Sequence, residues 1–172
     1  MNHIVLYEPE IPQNTGNIMR TCVATNTILH LIEPLGFKLT EKEIKRSGAN
    51  YIKDVEYYVY PNFQAFLDEH QNKGEFYYLS RYGLKTMYDI DAKDVNKDYY
   101  FVFGKESTGI PKEILKANID RCIRLPMTDK VRALNLSNVC AIIVYEALRQ
   151  QGFPNLSFYE PENFKGKNYL IK

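Results

Sequence analysis

Three polar segments, each directly after an apolar run, hold the residues of this sequence that are best suited to chemistry. They are EPEIPQNTGNIMR (8–20), GKESTGIP (104–111) and PMTDKVRALNLSN (126–138). In the first, the guanidinium of Arg20 could hold a phosphate or a substrate hydroxyl. Taken alone, that segment favours a simpler interpretation, which is an ordinary helix with a surface arginine, capped by Asn14 or Thr15 near Gly16.

The second segment places Gly104 at the end of a predicted strand, followed by the polar residues Lys105 and Glu106. A strand, a glycine-bearing turn and a helix N-terminus can together form an anion site. A P-loop, however, needs a glycine and a Ser or Thr at the positions where this sequence has Tyr99 and Glu106. The sequence also lacks a G-x-G-x-x-G pattern, so we expect no standard nucleotide-binding loop.

The third segment continues apolar residues past a strand end, where polar turn residues are usual. An apolar lip formed by Leu125 and Met127 would suit a flat aromatic ligand such as adenine. Core packing under a long loop explains the same residues without any ligand. Asn135 and Ser137 are candidate N-caps for the helix that follows, which also requires no further function.

Six apolar runs of strand length predict the β-strands, three of which lead into the polar segments. The runs are HIVLY (3–7), ILHLIE (28–33), VEYYVY (55–60), EFYYLS (75–80), YYFVFG (99–104) and RCIRLP (121–126). Most lack the alternation of a half-exposed strand, which predicts an α/β fold with a mostly parallel sheet and helices on both faces. Helices are predicted over 15–26, 41–47, 62–72, 111–117 and 136–151. The three polar segments should then meet at the carboxyl edge of the sheet, where ligands bind.

Composition and charge limit the kinds of protein that this chain can be. A chain of 172 residues with 45% hydrophobic residues predicts one domain, here 1–152, followed by a tail over 153–172 that is rich in Pro, Asn and Gly. The net charge of +1 neither demands nor excludes a nucleic-acid partner, although basic residues cluster in 41–48 and 121–132. Without a signal peptide or an apolar run of about 18 residues, we expect a cytoplasmic protein that does not contact a membrane.

The cysteines and histidines suggest no metal. Cys22, Cys122 and Cys140 are far apart in apolar surroundings, which predicts buried, reduced thiols. The three histidines of the chain also fall on separate segments, which argues against a metal site or a histidine-based catalytic dyad.

The predicted last helix is apolar on more than one side. One stripe runs through Leu136, Val139, Cys140, Ile143, Val144, Ala147 and Leu148. Ile142 and Tyr145 flank this stripe, and one sheet face cannot cover both sides. Such a helix is either deeply buried or packs against a second subunit.

The motifs NTGNIMR (14–20), FGKESTGIP (103–111) and LPMTDKVRALNLSNVCAIIVYEALRQ (125–150) resemble those of the SpoU-type branch of the SPOUT RNA methyltransferases. The opening of the chain, LIEPLGF (31–37) and NLSNVCAIIVYEALRQ (135–150) are closer still to the single-domain YibK/TrmL type, which methylates the wobble position of tRNA. The likeness runs from about residue 4 to 152. Three motifs in the same order and spacing make it a specific resemblance.

The resemblance implies S-adenosyl-L-methionine as methyl donor without a metal, a homodimer, and a deep trefoil knot in the C-terminal third. It places the cofactor against Leu79, Gly104, Leu125 and Ala133, with Met127 and Asn135 as neighbouring contacts. Gly104 would lie under the bent cofactor, and the loop from Glu106 to Gly109 would shape the knot. Related sequences often have serine at the position of Ala133, so here either the backbone makes that contact or the hydroxyl is dispensable.

The same resemblance implies Arg20 as the catalytic residue. Because a guanidinium stays protonated in proteins, we expect Arg20 to position the ribose hydroxyl and a phosphate rather than to act as a base. Asn14 and Asn17 would order the loop, and Asn17 and Tyr145 would contact RNA.

The function implied is 2'-O-methylation of the wobble nucleotide, cytidine or modified uridine, of tRNA, with leucine tRNAs as the expected substrates. Two alternatives stay open. One is methylation of another tRNA or rRNA nucleotide, and the other is a catalytically silent dimeric RNA-binding protein.

Overall fold

Seven strands form one sheet in the computed structural model, which describes residues 1–40, 42–43 and 52–172. The strands are β1 (Asn2–Tyr7), β2 (Ile28–Ile32), β3 (Tyr57–Tyr60), β4 (Glu75–Leu79), β5 (Lys85–Thr86), β6 (Tyr99–Phe103) and β7 (Cys122–Arg124). All six predicted strands are confirmed. The two-residue strand β5 was not predicted, because it is too short to leave an apolar pattern.

The sheet has the order β3-β2-β1-β6-β4-β7-β5, and every pairing in it is parallel. In the centre, Val5 of β1 is in register with His30 of β2 and Val102 of β6. The chain moves outward from β1 to β3 and then crosses to the other side of β6. This reversal creates a crevice at the carboxyl edge, where open parallel sheets bind ligands.

Four α-helices cover the sheet within residues 1–40 and 52–172. They are α1 (Pro12–Thr25), α2 (Phe63–His70), α3 (Lys112–Ala117) and α4 (Leu136–Gln151). Asn62 caps α2 by accepting a hydrogen bond from Ala65 N at 2.8 Å. Asn135 caps α4 through Ser137 N at 2.9 Å. The helix predicted over 41–47 and the basic cluster at 41–48 lie largely outside the described residues.

Helix α1 begins earlier than the sequence predicts. It starts at Pro12, a residue whose fixed φ suits the first turn, and it has no side-chain cap. Asn14 and Thr15 are therefore buried inside the first turn, and the prediction that one of them caps the helix is wrong. Arg20, the ninth residue of the helix, lies in its third turn.

The two faces of the sheet bury separate cores. One contains Ile18 and Cys22 of α1 together with Cys140 and Ile143 of α4. The other contains Phe66 of α2 and receives side chains of α3. This arrangement confirms the predicted α/β fold with helices on both faces. All three cysteines are buried and unpaired, and no helix among the described residues is long and apolar enough to cross a membrane.

After α4 the chain turns at Gly152, which has a φ of 77°. Phe153 and Leu156 then pack against the core, while the segment beyond them is mostly exposed. The change in composition after Gly152, where the segment rich in Pro, Asn and Gly begins, therefore coincides with the end of α4.

The histidines form a buried cluster that the sequence analysis missed. His3 Nδ1 lies 2.9 Å from His30 Nε2, and His30 Nδ1 lies 3.2 Å from the Tyr60 hydroxyl. That hydroxyl lies 2.8 Å from His70 Nε2, and His70 Nδ1 lies 3.1 Å from the Tyr100 hydroxyl. Parallel pairing brings β1, β2 and β6 side by side, so the cluster joins residues that are distant in the sequence. Among the described residues, no group of His, Cys, Asp or Glu is arranged to hold a metal ion.

Hydrogen bonding and burial keep these rings neutral. These contacts form one series of hydrogen bonds from Tyr100 to His3. If every group in it donates toward His3, each imidazole has one donor and one acceptor nitrogen. Burial lowers the pKa of His3 to about 4 and of His30 to about 3, and it also lowers the pKa of His70. An additional proton would place two donors against each other in a buried site.

We expect this cluster to make the protein sensitive to mild acid. Unfolded histidines titrate near pH 6.5, so between pH 6.5 and about 4 the unfolded chain binds more protons than the folded one and stability falls as pH falls. By pH 5, His3 and His30 should each cost about 2 kcal/mol of stability. Urea unfolding at pH 7, 6 and 5 measures the loss. The His30→Phe variant should show a flatter dependence, and an unchanged unfolding free energy of the wild type over this range would contradict neutral burial.

Candidate cofactor cleft and comparison with known proteins

A cleft of about 730 Å³ opens at the carboxyl edge of the sheet, where the loops after β1, β4, β6 and β7 meet. Its size falls within the range of small-molecule sites. The six residues predicted to contact a cofactor all line it: Leu79, Gly104, Leu125, Met127, Ala133 and Asn135. The sequence motifs therefore converge on one cavity, as parallel strand ends require.

Gly104 is held against the chain's own backbone. A Cβ at this position would overlap the main-chain atoms of Gly109 and Ile110. The loop folds back because Gly109, at a φ of 75°, donates its N–H to the carbonyl oxygen of Lys105 at 2.8 Å. Gly104 lines the cleft as predicted, but the close approach that requires glycine here comes from the returning loop.

Glu106 fastens this loop to the beginning of α1. Its carboxylate accepts hydrogen bonds from Glu10 N at 2.9 Å, Ile11 N at 3.2 Å and Asn14 Nδ2 at 3.3 Å. It thereby satisfies backbone donors at a helix start that has no side-chain cap of its own. Ser107 adds a second fastening, since its hydroxyl donates to the Glu10 carboxylate at 2.6 Å.

Asn14 connects α1 to the third loop. Its Oδ1 accepts a hydrogen bond from Asn135 Nδ2 at 3.0 Å, while the Oδ1 of Asn135 caps α4 through Ser137. One continuous network thus runs from Glu106 through both asparagines to α4. Because each side chain in it is used for bonding within the protein, the network fixes the relative positions of three loops that line the cleft.

The apolar lip of Leu125 and Met127 contributes both to core packing and to the wall of the cleft, the two roles considered from the sequence. Leu125 is buried and belongs to the core on the α1 and α4 face, yet it also lines the cleft. Met127 is half-buried and lies on the cleft wall. Ala133 is exposed at the same cavity. The wall is therefore apolar where a flat ring could pack and is supported from behind by the core.

Positive charge dominates the cleft. Among its described lining residues, Arg81, Arg124, Arg132 and Lys105 are basic, and Glu106 alone is acidic. Lys105 forms an ion pair with Glu8 at 3.3 Å. A chain with a net charge of +1 thus concentrates cations at one site, which favours an anionic ligand. The 121–132 cluster was visible in the sequence, whereas Arg81 was not predicted, although its position directly after the apolar run at 75–80 was the available signal.

The predicted RNA-side residues lie elsewhere on the same chain. Arg20 and Asn17 are on the exposed side of α1, and Tyr145 is on the exposed side of α4. None of the three is among the described residues that line the cleft. Helices α1 and α4 pack against each other, so their exposed sides adjoin. Within one chain, Arg20, the predicted catalytic residue, therefore lies outside the predicted cofactor site.

A parallel sheet with a cleft at its carboxyl edge places this chain among the α/β proteins, whose ligands bind at that edge. Residues 1–145 match the model described as the SpoU rRNA Methylase family, and the chain belongs to this family. The resemblance drawn from the sequence motifs is thereby confirmed.

Relatives cover nearly the whole chain. A Geobacillus stearothermophilus protein, provisionally named a tRNA (cytidine(34)-2'-O)-methyltransferase, is 54% identical over 155 residues, covering 90% of this chain and 98% of the relative. The tRNA (cytidine(34)-2'-O)-methyltransferase of Escherichia coli K12 is 41% identical and covers 90% of this chain and 96% of its own. A structure solved for insight into 2-OH methylation of C/U34 on tRNA superposes with a TM-score of 0.81 at 39% identity, covering 88% of this chain and 97% of that one.

Proposed function

We propose that the protein transfers a methyl group from S-adenosyl-L-methionine to the ribose 2'-hydroxyl of nucleotide 34 of tRNA, the nucleotide in the names of its relatives. The substrate nucleotide would be cytidine or modified uridine, with leucine tRNAs as the first candidates, and the compartment would be the cytoplasm. The observation that carries the proposal is a single cleft that gathers all six predicted cofactor residues beside cations suited to the phosphates of RNA.

The cleft fits the proposed cofactor on chemical grounds. Leu125 and Met127 offer an apolar wall for an adenine ring, and the backbone around Gly104 and Asn135 offers polar groups for the rest of the molecule. When bound, S-adenosyl-L-methionine supplies a methyl group that its sulfonium already activates, so the proposal includes no metal. The work left to the protein is alignment of the ribose and handling of its proton.

Arg20 is proposed to hold the ribose hydroxyl and the adjacent phosphate and to stabilise the negative charge that develops on oxygen. Its guanidinium, which stays protonated, donates in this role and does not accept the proton. The network of Glu106, Asn14 and Asn135 would keep α1 fixed relative to the cleft. Asn17 and Tyr145 would contact the RNA from the same helical surface.

The working unit is proposed to be a homodimer that pairs the α1 and α4 surfaces. Arg20 lies outside the cleft of its own chain, so a second copy could bring its Arg20 to that cleft. Ile142 and Tyr145 expose 38% and 47% of their surface on α4, which provides apolar contact area for such a partner.

Two further features are proposed from the family resemblance. The C-terminal third would form a deep trefoil knot, and the tight return of the 104–110 loop on Gly104 is compatible with a chain passing close by. Knots are rare, so the resemblance carries this part. Residues 1–152 would form the methyltransferase domain, with 153–172 as a tail.

Calorimetry should detect binding of S-adenosylhomocysteine without added metal. Ala133→Phe should weaken this binding about tenfold or more, because an exposed residue can enlarge without disturbing the core and then fills a small-ligand cleft. Ala117→Phe, at an exposed alanine of α3 outside the described cleft lining, is the matched control and should bind normally. Equal affinity for the two variants would remove the cleft as the cofactor site.

Methylation of a panel of tRNA transcripts with labelled cofactor tests the function directly. Nuclease mapping should place the label on the ribose of nucleotide 34, as in the named relatives. Label at another tRNA or rRNA nucleotide would support the alternative hypothesis of a methyltransferase with a different target. Cofactor binding without any transfer to RNA isolated from cells that lack the gene would support a silent RNA-binding protein.

A further inference from the structure

Tyr82 stands exposed at the mouth of the cleft. It lines the cavity, yet 69% of its surface is accessible. Arg81, which also lines the cleft, places its Cζ 5.1 Å from the centre of the Tyr82 ring. An aromatic side chain and an arginine in this arrangement form a flat cationic surface that the fold itself does not use for packing.

The turn that carries this pair is rigid. Gly83 N donates to the carbonyl oxygen of Ser80 at 3.0 Å, and Tyr82 N donates to the Ser80 hydroxyl at 3.2 Å. The turn is pressed against β7, because a Cβ on Gly83 would lie 2.7 Å from the carbonyl carbon of Ile123. Arg124 also donates to the Arg81 carbonyl oxygen at 3.2 Å. The exposed ring is therefore mounted on a fixed backbone, which lowers the entropy cost of using it for binding.

The proposed reaction creates a need for such a surface. A nucleotide that leaves the stack can bring its ribose 2'-oxygen deep into a cleft, and the neighbouring base then loses a stacking partner. Exposed aromatic side chains on RNA-binding proteins replace that partner, and arginine strengthens the contact. Two further cations of the cleft, Arg124 and Arg132, are placed to attract the phosphates that flank the same nucleotide.

We propose that Tyr82, with Arg81 over its ring, is the stacking platform for an RNA base next to the methylated ribose. This inference rests on the proposed function and assigns part of its substrate specificity to the β4–β5 loop. Arg81 covers one side of the ring, and the base stacks on the opposite side. The platform selects for an unpaired, flexible stretch of RNA, as an anticodon loop provides, over a continuous helix.

Steady-state kinetics with tRNA tests the proposal. Tyr82→Ala should raise the KM for tRNA about tenfold, the loss expected for one base–aromatic stack, with kcat and S-adenosylhomocysteine affinity unchanged. Tyr82→Phe should behave as wild type, while Tyr82→Leu should resemble the alanine variant, because an apolar side chain without a ring cannot stack. Tyr88→Ala is the matched control, since Tyr88 is 57% exposed in the 3₁₀ turn directly after β5 but is not among the described cleft-lining residues.

Fluorescence gives a readout that does not depend on turnover. The chain contains no tryptophan, so 2-aminopurine beside the wobble nucleotide of an anticodon stem-loop reports its own stacking without overlap. Wild type should quench it in the presence of S-adenosylhomocysteine, and saturating Tyr82→Leu should not. Equal KM and equal quenching for wild type and Tyr82→Leu would overturn the platform. A lower S-adenosylhomocysteine affinity as the main effect would overturn it also, by assigning Tyr82 to the cofactor. Failure of the proposed function would instead appear as wild type that methylates no tRNA.

Discussion

Replacing Arg20 by alanine is expected to reduce methyl transfer by about 100-fold or more, the effect of losing one donor to a developing oxyanion. Binding of S-adenosylhomocysteine should stay normal, because Arg20 is not among the described residues that line the cleft of its own chain. Arg20→Lys should also lose most activity if the planar fork is needed to hold a hydroxyl and a phosphate together. Single-turnover methylation and calorimetry measure the two effects separately.

Arg121→Ala is a suitable control for the loss of an exposed arginine. Arg121 precedes β7 and pairs with Glu75 at 3.5 Å, away from the described cleft lining. This variant should keep its activity, since exposed ion pairs contribute little. Full activity of Arg20→Ala would refute the role of Arg20, and weak cofactor binding by it would point to a structural effect instead.

Mixing variants tests whether two chains share one site. Arg20→Ala and Ala133→Phe should each be nearly inactive alone, but a heterodimer carries one site with both native contributions. Gly104→Val is unsuitable as the second partner, because its side chain would collide with the backbone of Gly109 and Ile110 and unfold the loop. Partial recovery on mixing supports a composite site. No recovery despite demonstrated subunit exchange would place Arg20 and the cofactor on the same chain.

Most of the fold is readable from the sequence because its strands are short, uninterrupted apolar runs. YYFVF becomes β6 with all five residues buried, and the helix predicted at 136–151 has the same bounds as α4. The location of the site follows from the same pattern, since residues directly after parallel strands must meet at one edge. Leu79 and Asn135, far apart in sequence, line the same cleft for this reason.

Other features depend on contacts between distant segments. The backbone N–H groups that lead into α1 donate to the Glu106 carboxylate. No local signal in 8–20 reveals an acceptor that lies on a loop about ninety residues away. The histidine cluster likewise depends on sheet order. The requirement for Gly104 was predicted, but its cause lies in the returning loop. Local patterns determine which elements form, and their lateral order determines which side chains meet.

A charge at the centre of α4 should separate the proposed dimer. Ile142 is 38% exposed in the single chain, so Ile142→Asp should be tolerated by the fold of one subunit. In the dimer the carboxylate would be buried without a partner, at a cost of about 3–5 kcal/mol, which weakens association by about 100-fold or more. Because Arg20 would then leave the partner's cleft, methylation should fall with dimerisation while S-adenosylhomocysteine binding persists.

Ile119→Asp is the matched control for this substitution. Ile119 is 47% exposed in a 3₁₀ turn before β7, away from the α1 and α4 surfaces, so this variant should remain dimeric and active. Sedimentation over a range of concentrations, with circular dichroism to confirm folding, compares the two. A folded Ile142→Asp protein that stays dimeric would move the interface off α4. A wild-type monomer that methylates tRNA at full rate would overturn the shared site, because Arg20 would then have to reach the cleft of its own chain.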